Sequence, residues 1–307
     1  MAEIVAGSPV ITLLAGGVGG AKAAEGLALG PYAKSASVIG NIADDESFHG
    51  LWVSPDIDTL TYSLANLIDR QQGWGLTGDS HRVLGALQTL GCDTWMSLGD
   101  MDLATHIYRT QQRHLGVSPS HIADHIARHL GVTMPILLPT DDVVQTQIKT
   151  AQGWLSFQEY FVKQGCTPAV LDIRFAGAEQ AKPCANTLDQ IARSDVILLA
   201  PSNPIVSIGA ILAVPTIRQH IVASDALTIA ISPIIGGKTV KGPADVMLKY
   251  AGYTSDVLGV AAIYQGLIDV LVIDQQDAIY QDALEAQGLQ VLVTNTLMKT
   301  SADTEAL

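Results

Sequence analysis

Short runs of consecutive apolar residues alternate along the chain with longer stretches in which apolar residues recur at helical spacing. Val10–Ala15, Ala36–Gly40, Val170–Phe175, Asp195–Ala200, Leu227–Ser232 and Val270–Ile273 are runs of the first kind. Their near-continuous apolar character predicts parallel strands covered on both faces. A helical pattern follows several of them, as Ala21–Leu29 follows the first. This alternation predicts an α/β fold, a Rossmann-like, doubly wound and mostly parallel sheet within a single domain.

The stretch from about Thr59 to Leu130 has a different rhythm. Leu60, Leu64, Leu67 and Ile68 form one helical stripe, and Val83, Leu84, Leu87 and Leu90 form another. Ile107, Leu115, Ile122, Ile126 and Leu130 extend the pattern, which predicts a helical insertion packed beside the sheet. Neither repeats nor low-complexity segments interrupt it, and the polar tail after Thr300 reads as loose.

Composition narrows the function. Apolar residues make up 48% of the 307 residues and charged residues 15%, which excludes a disordered chain. The net charge of −13 argues against nucleic acid or an anionic membrane as partner, since both need clustered Lys and Arg. An anionic substrate must then be held by local groups. Cys92, Cys166 and Cys184 lie far apart, offering neither a disulfide framework nor a zinc knuckle, and suit a reducing compartment. The N-terminal apolar stretch lacks the basic cluster of a signal peptide, and Pro201, Pro204 and Pro215 break the long uncharged run from Val196 to Ile217. The expected location is the cytoplasm.

Gly16-Gly17-Val18-Gly19-Gly20 follows the first strand and opens a helix, where bare backbone N–H groups and the helix N-terminus favour an anion. It is not a P-loop, because Lys22 stands between Ala21 and Ala23 with no following hydroxyl. It is not a dinucleotide fingerprint either. Lys22 occupies the place of the last small residue, and the second strand ends in Asn41 rather than an acid. A tight structural turn is the alternative reading.

Three acidic loops fall in the N-terminal third: Asn41 to Asp45, Ser54 to Thr59, and Leu98 to Asp102. Paired oxygens near strand ends suit Mg²⁺ beside substrate phosphates, while Asp58 and Asp102 could equally be helix N-caps. Two further loops, from Ala200 to Gly209 and from Ile231 to Lys238, present Ser202, Asn203 and Ser232 after apolar strands, and Lys238 and Lys241 are candidate phosphate contacts. The histidines form no ligand motif. His121, His125 and His129, spaced by four, read as a polar helix surface.

In order along the chain, Gly16 to Ala21, Asn41 to Asp45, Pro55-Asp56-Ile57-Asp58-Thr59, Gly73-Trp74-Gly75, Leu98 to His106, Leu138-Pro139, Ala200 to Pro204 and Ser232 to Lys238 resemble the 2-phospho-L-lactate transferase family of coenzyme F420 biosynthesis, known as CofD and FbiA. The resemblance implies a transferase that moves a phosphorylated three-carbon acid from a guanosine-diphosphate-linked donor to the deazaflavin FO, with GMP released. It also implies Mg²⁺ as cofactor and a homodimer. On that basis Asp45, Asp56 and Asp58 are the expected metal ligands, with Asp58 and Asp56 catalytic and Asp58 activating the attacking hydroxyl. Gly16, Gly17, Gly19, Gly20, Asn41, Ser97, Asp100, Ser202, Asn203, Ser232 and Lys238 are the expected substrate contacts. Two positions depart from the family pattern. Met101 replaces the usual Arg or Lys of the Gly-Asp-x-Asp motif, and Ser97 stands two before its glycine. A nucleotide- or sugar-phosphate-binding regulator on the same scaffold is the competing class, and an NAD-dependent oxidoreductase a weaker one.

Overall fold

A computed structural model describes residues 7–240, 242–299, 303–304 and 307, so Lys241 and most of the tail after Thr300 lie outside the described residues. Seven strands form one parallel sheet: β1 (Ile11–Ala15), β2 (Ala36–Gly40), β3 (Ile136–Leu137), β4 (Val196–Leu199), β5 (Leu227–Ile231), β6 (Val270–Asp274) and β7 (Gln290–Thr294). Their order across the sheet is β7-β6-β5-β4-β1-β2-β3. Every neighbouring pair is parallel, with Ile11 opposite both Ala36 and Val196. The order reverses between β1 and β4, and at such a switch point open α/β sheets form a crevice beyond the carboxyl ends of the strands.

Successive side chains of β1 go to opposite faces, as strand geometry requires. Ile11, Leu13 and Ala15 join one core with Ala36 and Val38, and Leu14 joins the other with Ile39, Ile197 and Leu199. Both faces are buried, which explains the near-continuous apolar strands.

Between β2 and β3 lie α2 (Pro55–Leu64), α3 (Arg82–Thr89), α4 (Asp100–His114) and α5 (Pro119–His129), preceded by a hairpin of Glu46–Phe48 with Leu51–Val53. α2 packs against α1 (Gly17–Leu29), which follows β1. Leu60 and Ile68 of the first expected stripe are buried, but α3 buries none of its residues, and Val83 and Leu90 are exposed. The second stripe therefore does not reach the core. Val170–Phe175 does not enter the parallel sheet. It forms Asp172–Ala176, antiparallel to Gln145–Thr150, which also pairs with Gly153–Ser156. Thr304 is buried, its carbonyl lying where a Cβ on Gly26 would fall, so this part of the tail is packed.

Candidate active site

A cavity of about 410 Å³ opens at the switch point, walled by the loops after β1 and β4, by α2 and α4, and by the segment around Phe157. The glycines place the backbone there for distinct reasons. Gly16 is hemmed in: a Cβ would come 2.7 Å from Asp56 Oδ2 and 2.9 Å from Ser207 Cβ. Gly17 has φ +63°, the left-handed region that glycine adopts without strain. A Cβ on Gly19 would lie 2.5 Å from the Pro201 carbonyl oxygen. Ser202 ties the two loops together: its Oγ accepts from the Gly16 N–H at 3.1 Å and donates to the Gly16 carbonyl at 2.8 Å. Asn203 caps the following turn by accepting from Ile205 and Val206 N–H, and its Nδ2, buried and without a hydrogen-bond partner, belongs to the cavity wall.

Asp44, Asp56, Asp58 and Asp102 line the cavity, and among the described lining residues no Lys or Arg accompanies them. Burial pushes the Asp44 carboxyl well above the usual carboxylate range, and the nearby charge of Asp56 raises it further. Burial likewise pushes Asp56 up to about 6, against a hydrogen bond from Asn41 and one from the Gly17 backbone. Asp44 Oδ1 is buried without a partner. Two buried carboxylates that repel one another and leave an oxygen unsatisfied are a donor set that a divalent oxygen-seeking cation fits.

The expected metal trio of Asp45, Asp56 and Asp58 does not share this wall. Asp45 lines a separate small cavity with Arg109 and Arg113, and its Oδ2 accepts from Ser54 Oγ at 2.7 Å and Trp52 Nε1 at 3.1 Å. Its neighbour Asp44 takes the place beside Asp56. Nothing in the Asn41 to Asp45 pattern distinguishes the two acids, because β2 has already ended and strand alternation no longer tells which side chain faces the crevice. Asp58 does line the cavity, but as the fourth residue of α2 rather than its N-cap. Both of its oxygens accept from Arg109 of α4, with Nη1 at 3.1 Å from Oδ2 and Nη2 on Oδ1.

His106 and Asp102 stand beside this pair. His106 is 1% exposed, with Nδ1 3.7 Å from Asp58 Oδ2 and 3.2 Å from Arg109 Nη1, and Nε2 3.4 Å from Asp102 Oδ1. Tyr62 OH donates to Asp102 Oδ1 at 2.7 Å. Burial opposes ionisation of Asp102, but His106, Tyr62 and Arg109 outweigh it and hold the carboxyl below its ordinary range. Asp102 sits in the first turn of α4, where the helix N-terminus also favours negative charge. Trp74, Met96, Phe157, Phe161 and Val162 add an apolar and aromatic stretch of wall, beside Gln72 and Gln158.

Several expected contacts fall elsewhere. Asn41 is 1% exposed, stands outside the cavity lining, and bonds Asp56 and the Ala43 N–H, so it orients a wall residue. Gly20 is a packing glycine, its missing Cβ 2.8 Å from Ser202 Oγ. Asp100 accepts from Ser80 Oγ and the Arg82 and Val83 N–H groups, stapling α4 to the start of α3. Ser232 is engaged with Ile234 in its own turn, and Lys238 is exposed on a two-stranded hairpin. Gly16, Gly17, Gly19, Ser97, Ser202 and Asn203 do meet at the cavity, although Ser97 Oγ also contacts His81 Nε2 at 3.1 Å. Met101 is 64% exposed and outside the wall. His121, His125 and His129 are exposed on α5, as their spacing predicts, whereas His106 belongs to the site.

The chain matches the family model described as 2-phospho-L-lactate transferase CofD over residues 11–303. It is 38% identical to a 2-phospho-L-lactate transferase of Methanopyrus kandleri over 301 residues, covering 97% of this chain and 94% of that one. It is 39% identical to a phosphoenolpyruvate transferase of Streptomyces griseus over 302 residues, covering 96% and 95%. A crystal structure of a Bacillus halodurans protein of the upf0052 family superposes with a TM-score of 0.62 at 16% identity, covering 97% of this chain and 99% of that one, a likeness of fold.

Proposed function

This chain belongs to the 2-phospho-L-lactate transferase CofD family, phospho-acid transferases of coenzyme F420 biosynthesis, and we propose that it moves a phosphorylated three-carbon acid from a guanosine-diphosphate-linked donor to the terminal hydroxyl of FO, releasing GMP. The observation that carries this reading is the composition of one cavity wall: a bare glycine turn and buried carboxylates beside aromatic side chains, at the switch point of the sheet.

In this reading the backbone of Gly16, Gly17 and Gly19, with Ser202 and the free Nδ2 of Asn203, receives the donor phosphates. Asp44 and Asp56 would hold Mg²⁺, which would supply the charge neutralisation for the diphosphate that the described wall lacks. Asn41 keeps Asp56 turned toward the cavity. Trp74, Met96 and Phe161 offer a flat apolar surface for the deazaflavin ring. Asp58, held by Arg109, retains lone pairs that orient the attacking hydroxyl. Phosphoryl transfer depends mainly on such positioning and charge stabilisation. A homodimer follows from the same family reading, and the exposed Leu90 and Leu115 at the ends of α3 and α4 supply apolar surface for it.

Purified protein incubated with FO, Mg²⁺ and the phospholactyl, enolpyruvyl and phosphoglyceryl guanylated donors in turn tests the reading. Formation of GMP and an acid-bearing FO phosphodiester with one of them supports it. Binding of a guanine nucleotide with no turnover from any donor would favour the regulator.

A further inference from the structure

Asp58, Asp102 and His106 each offer a ligand atom within 4.8 Å of the others, all three buried and lining the cavity. By spacing alone this is a metal cluster, but Arg109 contradicts that use. Its guanidinium donates to both oxygens of Asp58 and approaches His106 Nδ1 at 3.2 Å, so a fixed positive charge already occupies the side from which two of the three ligands would bind a cation. Arginine stays protonated and can only donate, so Nδ1 of His106 is the acceptor of that contact and carries no proton. The proton then sits on Nε2, which is buried 3.4 Å from Asp102 Oδ1.

The cluster therefore presents a carboxylate, an N–H and a second carboxylate in sequence: acceptor, donor, acceptor. Phosphate is repelled by the two carboxylates, and an aromatic ring cannot satisfy them. A hydroxyl can donate to a carboxylate while its oxygen accepts from an N–H, and consecutive hydroxyls repeat that pattern along a chain. We infer that Asp58, His106 and Asp102 form a bracket for the polyol chain of the acceptor, with Arg109 and Tyr62 as positioning residues that fix its donors and acceptors. This rests on the acceptor assignment above and names the part of the acceptor recognised. Tyr62 OH fills one lone pair of Asp102 Oδ1, and Thr105 lies 3.0 Å from the same phenol, so the bracket is braced from behind.

The test is direct binding, followed by fluorescence, of FO and of the same deazaflavin ring with a methyl group in place of its polyol chain. Asp102→Asn should weaken FO binding by about 10-fold or more, as loss of a charge-assisted hydrogen bond does, and leave the chainless ring unchanged. His106→Gln keeps an N–H close to the Nε2 position and should stay within about 3-fold of wild type, whereas His106→Leu should lose about as much as Asp102→Asn. Guanine nucleotide affinity should not move in any variant that retains the wild-type circular dichroism spectrum. Equal losses for FO and the chainless ring would overturn the bracket. So would a Mn²⁺ site detected by paramagnetic resonance that disappears in His106→Gln. A wild type that binds FO better than the chainless ring yet transfers no acid would retire the transferase reading and leave the bracket standing.

Discussion

Asn41 Nδ2 donates to Asp56 Oδ2 across 2.9 Å, and the same asparagine's Oδ1 accepts from the Ala43 N–H two residues on. One side chain at the end of β2 thereby sets the direction of a carboxylate fifteen residues later and the turn that delivers Asp44 to it. The acidic pair is held together from the sheet.

Because Asp44 and Asp56 are buried and repel one another, their charges are an unrelieved cost without a cation. Asp44→Asn or Asp56→Asn should raise the melting temperature of the protein in EDTA and abolish the stabilisation that Mg²⁺ gives the wild type. Turnover should fall by about 10²-fold or more. A variant that still gains stability from Mg²⁺ and keeps its turnover would remove the pair from the cation site.

Asp58→Asn behaves differently. An asparagine would be harmless at an N-cap, but here the change strips the counter-charge from Arg109, which is 5% exposed. Breaking a buried pair on one side costs roughly 3–5 kcal/mol, so urea unfolding should register a large loss. Asp58→Asn combined with Arg109→Met should recover much of it. Little change in the single variant would show that water reaches Arg109 freely.

The glycine turn separates conformation from space. Gly17→Ala meets no protein atom but must adopt φ +63°, so it should lose about 1 kcal/mol of stability and weaken nucleotide binding less than Gly19→Ala does. Gly19→Ala has an ordinary backbone but would press 2.5 Å against the Pro201 carbonyl, forcing apart the loops after β1 and β4. It should weaken guanine nucleotide binding by about 10-fold or more. Calorimetric titration of both variants reads the contrast directly.

Asp45 predicts a pH effect. Burial pushes its carboxyl up to about 7, despite Ser54, Arg109 and Trp52. The folded state thus holds a proton that the unfolded chain releases near its ordinary value of 3.8. The stability this proton confers is complete below about pH 4 and lost as pH rises toward 7. Wild type should lose more stability than Asp45→Asn across that interval, as measured by denaturant midpoints at each pH. Parallel curves would mean that Asp45 ionises normally.

The parallel sheet was legible because both of its faces are buried: Leu13 and Leu14 go to opposite cores, yet both are apolar, so five of the six apolar runs give strands of that sheet. Asp172–Ala176 misled because an apolar run carries no mark of the partner it pairs with. β3 escaped because two residues make no pattern, and β7 because only three apolar residues stand between Gln290 and Thr294. Glycine-loop residues were legible from the strand-to-helix crossing. His106 was not, since its meaning lies in Asp58, which stands 48 positions away on another helix. Asp100 shows the converse, a loop aspartate with the look of a ligand whose oxygens cap the neighbouring helix α3.

Ser202 clasps Gly16 across 186 positions, and Pro243 closes the same wall. During synthesis from the N-terminus, the glycine turn and all four cavity aspartates are complete long before the loop that gives them shape. Contacts of such separation carry a high entropy of closure and slow folding. Until β4 slots in beside β1, the nascent chain exposes the apolar flank of β1 to solvent and to other chains. That unpaired flank is the point at which a chaperone would act on this protein, or at which a truncated copy would aggregate.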